Sequence, residues 1–475
     1  MTKTEQQYKR MTETPIPRLI TLLAIPTMIS MLITNIYNVV DTAFVGTLGT
    51  SASGAVGVVF GFMAIIQAFG FLFGQGGGSI ISRMLGDRQP ERASETASTA
   101  FFCSLFMGFV IAVFGLFTLD SLVRWLGSTE TIAPFAKTYI AYILFAAPFM
   151  TTSFTMNSIL RYEGKASLGM IGLLVGSILN IGGDYFFMMI LNMGIAGAGL
   201  STCIGQIISW GILLSMFLTG RTTSKISFRQ FSSFKKADYV ETDMRFNAEK
   251  LMICVNTVLL REIVLTGIPS LLRQILNSFT TILLNVLSSA YGDEVVAAMS
   301  IVNRIVFFVF SMALGVGQGF QPVCSFNYGA RKFDRVRKAI WFTAVLGMIF
   351  ILAAIVATLQ FPDEIIRIFR DDPAVIKVAH RALILQMLLL PTLPLSVVTE
   401  MTYQCTGKKG GAALLSSLRS GFIFMPALYI LAHTRGVAGI QEAQPVAYGL
   451  SFFISLLFFV MYMKKLPREM EEKTE

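Results

Sequence analysis

Six ionisable side chains, Asp41, Asp184, Arg273, Arg304, Glu400 and Arg419, stand inside long apolar stretches of this 475-residue chain. In hydrocarbon each costs at least about 3 kcal/mol by insertion scales, so each needs a partner or a task. Two of them come with polar company. Asn180 precedes Asp184 by four residues and Thr202 precedes Gln206 by four, so each pair shares a helical face, and Tyr37 stands one turn from Asp41. Counted from the ends of their apolar runs at 1.5 Å per residue, Asp41 lies about 5 Å deep and Asp184 and Thr202 about 10 Å, which lets the three share one layer. The set is rich in oxygen and holds two carboxylates with no cation at its level. Either one carboxylate keeps a proton, because burial and a like-charged neighbour disfavour a second negative charge, or a hard cation such as Na⁺ is held by carboxylate, amide and hydroxyl oxygens. Both solutions make Asp41, Asn180, Asp184 and Thr202 an ion-coupling site. The plainer alternative is that the two acids only terminate their helices near the headgroups.

The remaining four charges read differently. Glu400 and Arg419 fall on adjacent apolar runs, each about 10–12 Å from the same edge, and are expected to form a buried structural ion pair. Arg273 and Arg304 fall near mid-depth with no acid at their level. They bond helix carbonyls or Gln274, Asn277 and Asn303, or they line a cleft and meet anionic groups. The five cysteines, Cys103, Cys203, Cys254, Cys324 and Cys405, are widely spaced without a Cys-x-x-Cys pair, and there are two histidines, His380 and His433. Neither a disulfide framework, a metal centre, a resident cofactor nor the clustered groups of an enzyme is indicated.

The elements that must position these residues are membrane spans. The chain is 54% hydrophobic and 14% charged, with apolar runs near twenty residues recurring throughout, each able to cross a core about 30 Å thick. Twelve helices are expected, at roughly 19–44, 52–82, 96–118, 133–159, 166–190, 195–219, 262–289, 295–325, 338–359, 375–405, 411–431 and 437–463. No period-two alternation suggests a barrel. With the N-terminus inside, inner segments hold 28 Lys and Arg and outer loops 7, which places both ends in the cytoplasm. The net charge of +10 is thereby explained without a nucleic-acid partner. The first eighteen residues are polar, and the run after them lacks a cleavage site, so the first apolar segment is expected to stay as a helix.

Shifted by 243 residues, the chain overlays itself: Ile25-Pro26 on Ile268-Pro269, Gly74-Gln75-Gly76 on Gly317-Gln318-Gly319, Pro148 on Pro391, and Gly164-Lys165 on Gly407-Lys408. The fold class that follows is all-α, a polytopic membrane protein with twelve transmembrane helices in two six-helix lobes. An even number of spans per half relates the lobes by a pseudo-two-fold axis along the membrane normal. The expected division is 1–220 for the N-lobe, 221–261 for a cytoplasmic linker and 262–475 for the C-lobe; 249–261 is read as plain linker ahead of two alternatives, an interfacial helix or an extension of the seventh span. At the same offset Asp41 and Asp184 meet Leu284 and Ala427, so the architecture does not require acids there.

Several motifs, in order, carry a resemblance: IPTMISMLITNIYNVVDTAFVG in the first span, GQGGGSIISRMLGDR after the second, LRYEGK after the fourth, NIGGDYFF in the fifth, GIAGAGLSTCIGQ leading the sixth and GQGFQPVCSFNYGAR in the second half. Together they resemble the multidrug and toxic compound extrusion (MATE) family from about Pro15 to Lys465. The resemblance implies a V of two lobes and a cation-coupled antiporter that exports drugs in exchange for H⁺ or Na⁺. It places coupling on Asp41, Asn180, Asp184 and Thr202, with Tyr37, Asn157 and Gln206 expected to face substrate. Expected partners are small-molecule drugs, organic cations and membrane lipid, and the expected form is a monomer in the plasma membrane of a prokaryote. Forty Phe and 25 Met suit a cleft that repacks around different apolar shapes. Two departures stand out: Tyr185 follows the fifth-span acid where the family often has Pro, and the C-lobe carries only Glu400 where members coupling through that lobe have acids on the seventh and tenth spans. A lipid-linked oligosaccharide flippase is the alternative, since Arg273 and Arg304 could meet a pyrophosphate.

Overall fold

The computed structural model describes residues 3–232 and 257–467. In chain order the helices are α1 (Lys3–Glu13), α2 (Ile16–Gly46), α3 (Thr50–Gly86), α4 (Pro90–Phe117), α5 (Leu119–Trp125), α6 (Ala133–Tyr162), α7 (Ala166–Asp184), α8 (Ile195–Leu218) and α9 (Phe228–Ser232), then α10 (Thr257–Ser289), α11 (Asp293–Gly329), α12 (Phe333–Gln360), α13 (Pro362–Phe369), α14 (Pro373–Leu389), α15 (Leu393–Cys405), α16 (Lys409–Ser417), α17 (Phe424–Arg435) and α18 (Val437–Lys465). No strand occurs among the described residues. Twelve spans result: α2, α3, α4, α6, α7 and α8 in the first half, and α10, α11, α12, α14 with α15, α16 with α17, and α18 in the second. Eleven of them are long and apolar enough to cross a membrane on length and composition alone. The exception is α10, whose apolar face is interrupted by Arg273, Gln274 and Asn277.

The duplication holds at the level of helix length. α3 and α11 each have 37 residues and start 243 apart, and α4 and α12 each have 28 and start 243 apart. Even the left-handed turn residues recur, Arg88 at φ 59° and Arg331 at φ 58°. The halves differ where the prolines differ. Pro148 sits within continuous α6, but its counterpart Pro391 is followed three residues later by Pro394, and the tenth span breaks into a 3₁₀ turn at Leu390–Thr392. Two missing N–H donors in one turn remove the bonds that would carry the helix through.

Several helices extend past their apolar runs. α3 continues to Gly86 and α10 begins at Thr257, so residues 257–261 extend the seventh span, while 233–256, including Cys254, lie outside the described residues. The polar N-terminus also contains a helix, α1, which buries Met11 and Thr12. It straps both halves at the end of the molecule that carries most of the basic loops: Gln7 Nε2 donates to the Glu163 carbonyl at 2.7 Å, Asn327 Nδ2 to the Met11 carbonyl at 3.1 Å, and Arg335 Nη2 to the Thr14 carbonyl at 2.6 Å.

At this basic end the lobes share one core, in which Leu19, Ile20, Leu23 and Ile80 of the first half pack with Ile263, Phe320, Val323 and Phe326 of the second. Glycines permit the approach. A Cβ on Gly267 would collide with the Leu72 carbonyl, and one on Gly319 would come within 2.6 Å of the Ala24 backbone. Toward the opposite end the core divides in two, one cluster around Val56, Ile140 and Ile143 and another around Val302, Ile305 and Leu383. The lobes are thus joined at the basic end and separate away from it.

Candidate functional site

Along α2, Thr27, Ser30, Thr34 and Tyr37 follow each other at three- and four-residue steps and line a cavity of about 300 Å³ between the lobes, with buried Asp41 one turn beyond. α7 and α8 pack closely because Gly176 faces Gly205 and Ser209, where an added Cβ would stand 3.0 Å from the Gly205 carbonyl. That closeness brings Asn180 against the start of α8. Its Nδ2 donates to Thr202 Oγ1 at 3.1 Å, and Ser201 Oγ donates to the Asn180 carbonyl at 2.7 Å. Asp184, one turn on, is fully buried beside Asp41. The three residues expected to share a layer, Asp41, Asp184 and Thr202, are thus brought together, with Asn180 among them.

The acids are not on the cavity surface. Tyr37, Asn180 and Thr202 line it, and Asp41 and Asp184 sit behind them. Tyr139 of α6 closes the group, within reach of Asp41, Tyr37 and Thr202. It follows Lys137 and Thr138 near the start of its apolar run and carries no signal that would have singled it out. What distinguishes the group is its acceptors. Asp41 Oδ1, both carboxyl oxygens of Asp184 and Asn180 Oδ1 are buried with no hydrogen-bond donor among the described residues. Four such oxygens buried together call for a proton or a hard cation, and the donor set of carboxylate, amide and hydroxyl fits either.

The cavity extends from this group toward the basic end. Gln206 and Asn157 both line it, the latter one turn from Arg161, which lines it too. Glutamines reach across the lobe boundary: Gln274 Nε2 donates to Gln67 Oε1 at 3.1 Å, Ser270 Oγ to Gln75 Oε1 at 2.8 Å, and Arg161 Nη1 to Gln318 Oε1. Gln75 and Gln318 are counterparts in the repeat, and the duplicated Gly-Gln-Gly already marked them.

The expected buried ion pair forms, Arg419 Nη2 standing 4.0 Å from Glu400 Oε2, but the expectation that Arg273 meets no acid is corrected: its Nη1 donates to Glu400 Oε1 at 2.6 Å and is the nearer partner. Depth counted along the axis ignored the direction of the side chains. Helical side chains lean toward their own N-terminus, and α10 and α15 run in opposite senses, so Arg273 and Glu400 lean toward each other. Arg419 also lays its guanidinium 5.0 Å from the centre of the Phe310 ring. Arg304 is exposed, does not line the cavity and has no carboxylate within 4.0 Å among the described residues. The fifth span also resolves its departure from the family pattern: in place of a proline bend, Tyr185–Ile190 forms a π-helical turn directly after Asp184.

The family model MatE matches residues 26–186 and again 269–430, the second match starting 243 residues after the first. The multidrug export protein MepA of Staphylococcus saprophyticus is 24% identical over 455 residues, with 95% of each chain covered. MepA of Staphylococcus aureus strain N315 is 25% identical over 476 residues and is covered in full, as is this chain. A solved outward-facing conformation of a multidrug resistance MATE family transporter of the MOP superfamily shares 25% identity, covers 98% of both chains and has a TM-score of 0.86. Matched in both of its halves, and built as twelve spans in two lobes, the chain belongs to the MatE family of membrane transporters.

Proposed function

We propose that this transporter exports amphipathic, mostly cationic organic compounds by alternating access, driven by inward movement of H⁺ or Na⁺ bound among Asp41, Asn180, Asp184 and Thr202. The observation that carries the reading is the group of four buried acceptor oxygens without donors, set directly behind the wall of the inter-lobe cavity. Charging or neutralising that group alters the polarity of the wall formed by Tyr37, Asn180 and Thr202. Ion and substrate then favour different lobe arrangements, which is the requirement for coupling. The names of the MepA relatives support export of several drugs as the task. With the basic end in the cytoplasm, as the distribution of Lys and Arg suggests, the arrangement joined at that end is the one open to the outside. The flippase alternative loses half its motive, because Arg273 is neutralised by Glu400.

Purified protein in liposomes, with Na⁺ and pH gradients imposed separately, tests both the ion and the exchange. The gradient of the coupling ion should drive uptake or release of a cationic dye, and Asp184→Asn should fold normally and abolish the driven movement. Dye transport by that variant at the parent rate would remove the acid pair from the mechanism.

A further inference from the structure

A second cavity lies at the basic end, separate from the one between the lobes. It is enclosed by α1, the turn between α6 and α7 and the segment after α8, has a volume of about 260 Å³ and is lined by Gln7, Arg10, Glu163, Lys165, Arg221 and Thr223 among others. Three cations face one carboxylate there, and that carboxylate is already engaged. Glu163 is 1% exposed, and its two oxygens accept from the Thr223 and Ser224 backbone N–H groups at 2.8 Å each and from Ser224 Oγ. Lys165 Nζ stands 3.3 Å from Glu163 Oε2 and donates to Thr223 Oγ1 at 2.9 Å, which fixes the ammonium and leaves one of its three N–H bonds to give. Arg10 and Arg221 are exposed, and among the described residues neither guanidinium has a hydrogen bond or a carboxylate within 4.0 Å. α7 begins beside the cavity at Ala166 without a side-chain cap, so its first amides add a partial positive charge.

The repeat shows what this cluster lacks. The counterpart of Lys165 is Lys408, whose Nζ lies 4.3 Å from the centre of the Tyr462 ring and 5.7 Å from that of Tyr403. At the 243-residue offset those rings are replaced by Thr219 and Leu160, so the first half has no aromatic face to attract its cation. The place is also that of lipid headgroups. Leu218, 70% exposed, ends α8 three residues before Arg221, and Ile171, 42% exposed, stands on α7 six residues after Lys165, about 9 Å at 1.5 Å per residue. Exposed aliphatic side chains on spans face acyl chains, and the headgroup layer beyond the hydrocarbon is about 5–8 Å thick on each side. A phosphodiester at that level meets two guanidinium forks and an ammonium, donors suited to phosphate oxygens.

We propose that this second cavity binds the phosphate of an anionic phospholipid in the leaflet at the basic end, and that the bound lipid clamps α1 to the first half. α1 is tied to the second half through Asn327 and Arg335, and to the first through Gln7, which donates to the Glu163 carbonyl and accepts from Thr223 Oγ1. A phosphate shared by Arg10 of α1 with Lys165 and Arg221 of the first half strengthens the weaker of these two attachments. The strap then holds both halves, and an anionic bilayer favours the arrangement joined at the basic end.

The test reads binding of dioleoylphosphatidylglycerol to the full-length protein in detergent by native mass spectrometry. Arg10→Gln together with Arg221→Gln, both at exposed positions, should weaken the tightest-bound lipid about tenfold or more. Lys9→Gln together with Arg92→Gln removes two cations from the same end but outside the cavity, and should weaken it less than about twofold. Equal weakening by the two pairs, or no weakening by the first, overturns the site. Glycerol phosphate, which offers the anion without acyl chains, separates the two sources of phosphate. Displacement of the lipid by glycerol phosphate at equal concentration makes a soluble phosphate the occupant and overturns the assignment to a lipid, whereas a lipid that stays bound supports it. The clamp is read by hydrogen exchange of the α1 amides in phosphatidylcholine nanodiscs with and without phosphatidylglycerol. Exchange over Lys3–Glu13 should slow severalfold with phosphatidylglycerol in the parent protein and not in the variant lacking Arg10 and Arg221. Equal exchange in the two kinds of disc by the parent protein overturns the clamp.

Discussion

The pairing of Glu400 makes an ordering of variants that the sequence alone would have reversed. At an effective dielectric near 20, unit charges 2.6 Å apart attract by about 6 kcal/mol and at 4.0 Å by about 4 kcal/mol, the separations of Glu400 from Arg273 and from Arg419. Breaking a buried pair costs about 3–5 kcal/mol in practice, because the stranded charge keeps its desolvation penalty. Glu400→Gln strands both guanidiniums and takes the upper figure, about 5 kcal/mol. Arg273→Met removes about three-fifths of the attraction and should cost about 3 kcal/mol, and Arg419→Met about 2 kcal/mol. At about 2–4 °C per kcal/mol for a cooperative unit of one lobe's size, the melting temperature should fall by about 10–20, 6–12 and 4–8 °C respectively. Scanning fluorimetry in detergent reads this, since Trp341 packs edge-on to Phe459 at 5.3 Å in the same lobe. A larger loss for Arg419→Met than for Arg273→Met, as an isolated Glu400–Arg419 pair would give, refutes the reasoning.

Other expectations are simpler. Gly267→Val should prevent apposition of the lobes at the basic end, because its side chain would occupy the space of the Leu72 carbonyl. A cysteine at Ser270, buried there, should become accessible to a maleimide, and unaltered labelling would count against the steric argument. Glu163→Gln should loosen the segment after α8, since Glu163 accepts from the Thr223 and Ser224 backbone N–H groups at 2.8 Å each. Loss of one charge-assisted bond is about 1.5–3 kcal/mol, so tryptic cleavage at Arg221 and Lys225 should quicken about tenfold or more, and an unchanged digestion rate would contradict the assignment.

Most of the fold was legible because hydrocarbon imposes a length on every helix and a duplicated chain supplies its own comparison. Helix ends were less so. α3 and α10 run on through Arg83, Gly86 and Arg261, residues that stop an apolar run without stopping a helix. α1 escaped notice because its buried side, Met11 and Thr12, is only a few residues wide in a polar segment. Within the candidate site, Asp41, Asn180, Asp184 and Thr202 were found together because depth and helical face are properties of the backbone alone. Arg273 and Glu400 were not, because their meeting depends on side-chain reach and direction. Tyr139 and Arg161 needed the packed structure: one follows Lys137 and Thr138 at the edge of its apolar run, and the other stands beside the loop where a cation is ordinary.

The π turn after Asp184 has a geometric consequence for the whole of the fifth span. Gly172, Gly176, Asn180, Asp184 and Met188 are all buried, an unbroken cadence of four residues. In a straight α-helix of 3.6 residues per turn that cadence precesses by about 40° at each step, so a fifth member would have swung well away from the first. The wider turn at Tyr185–Ile190 rotates the stripe back the other way and returns Met188 to the inward side. Asp184 therefore sits at the point where the phase of the helix reverses, and removing a single residue just beyond it should turn the π turn into an ordinary α turn while leaving the residues on both sides in their present phase.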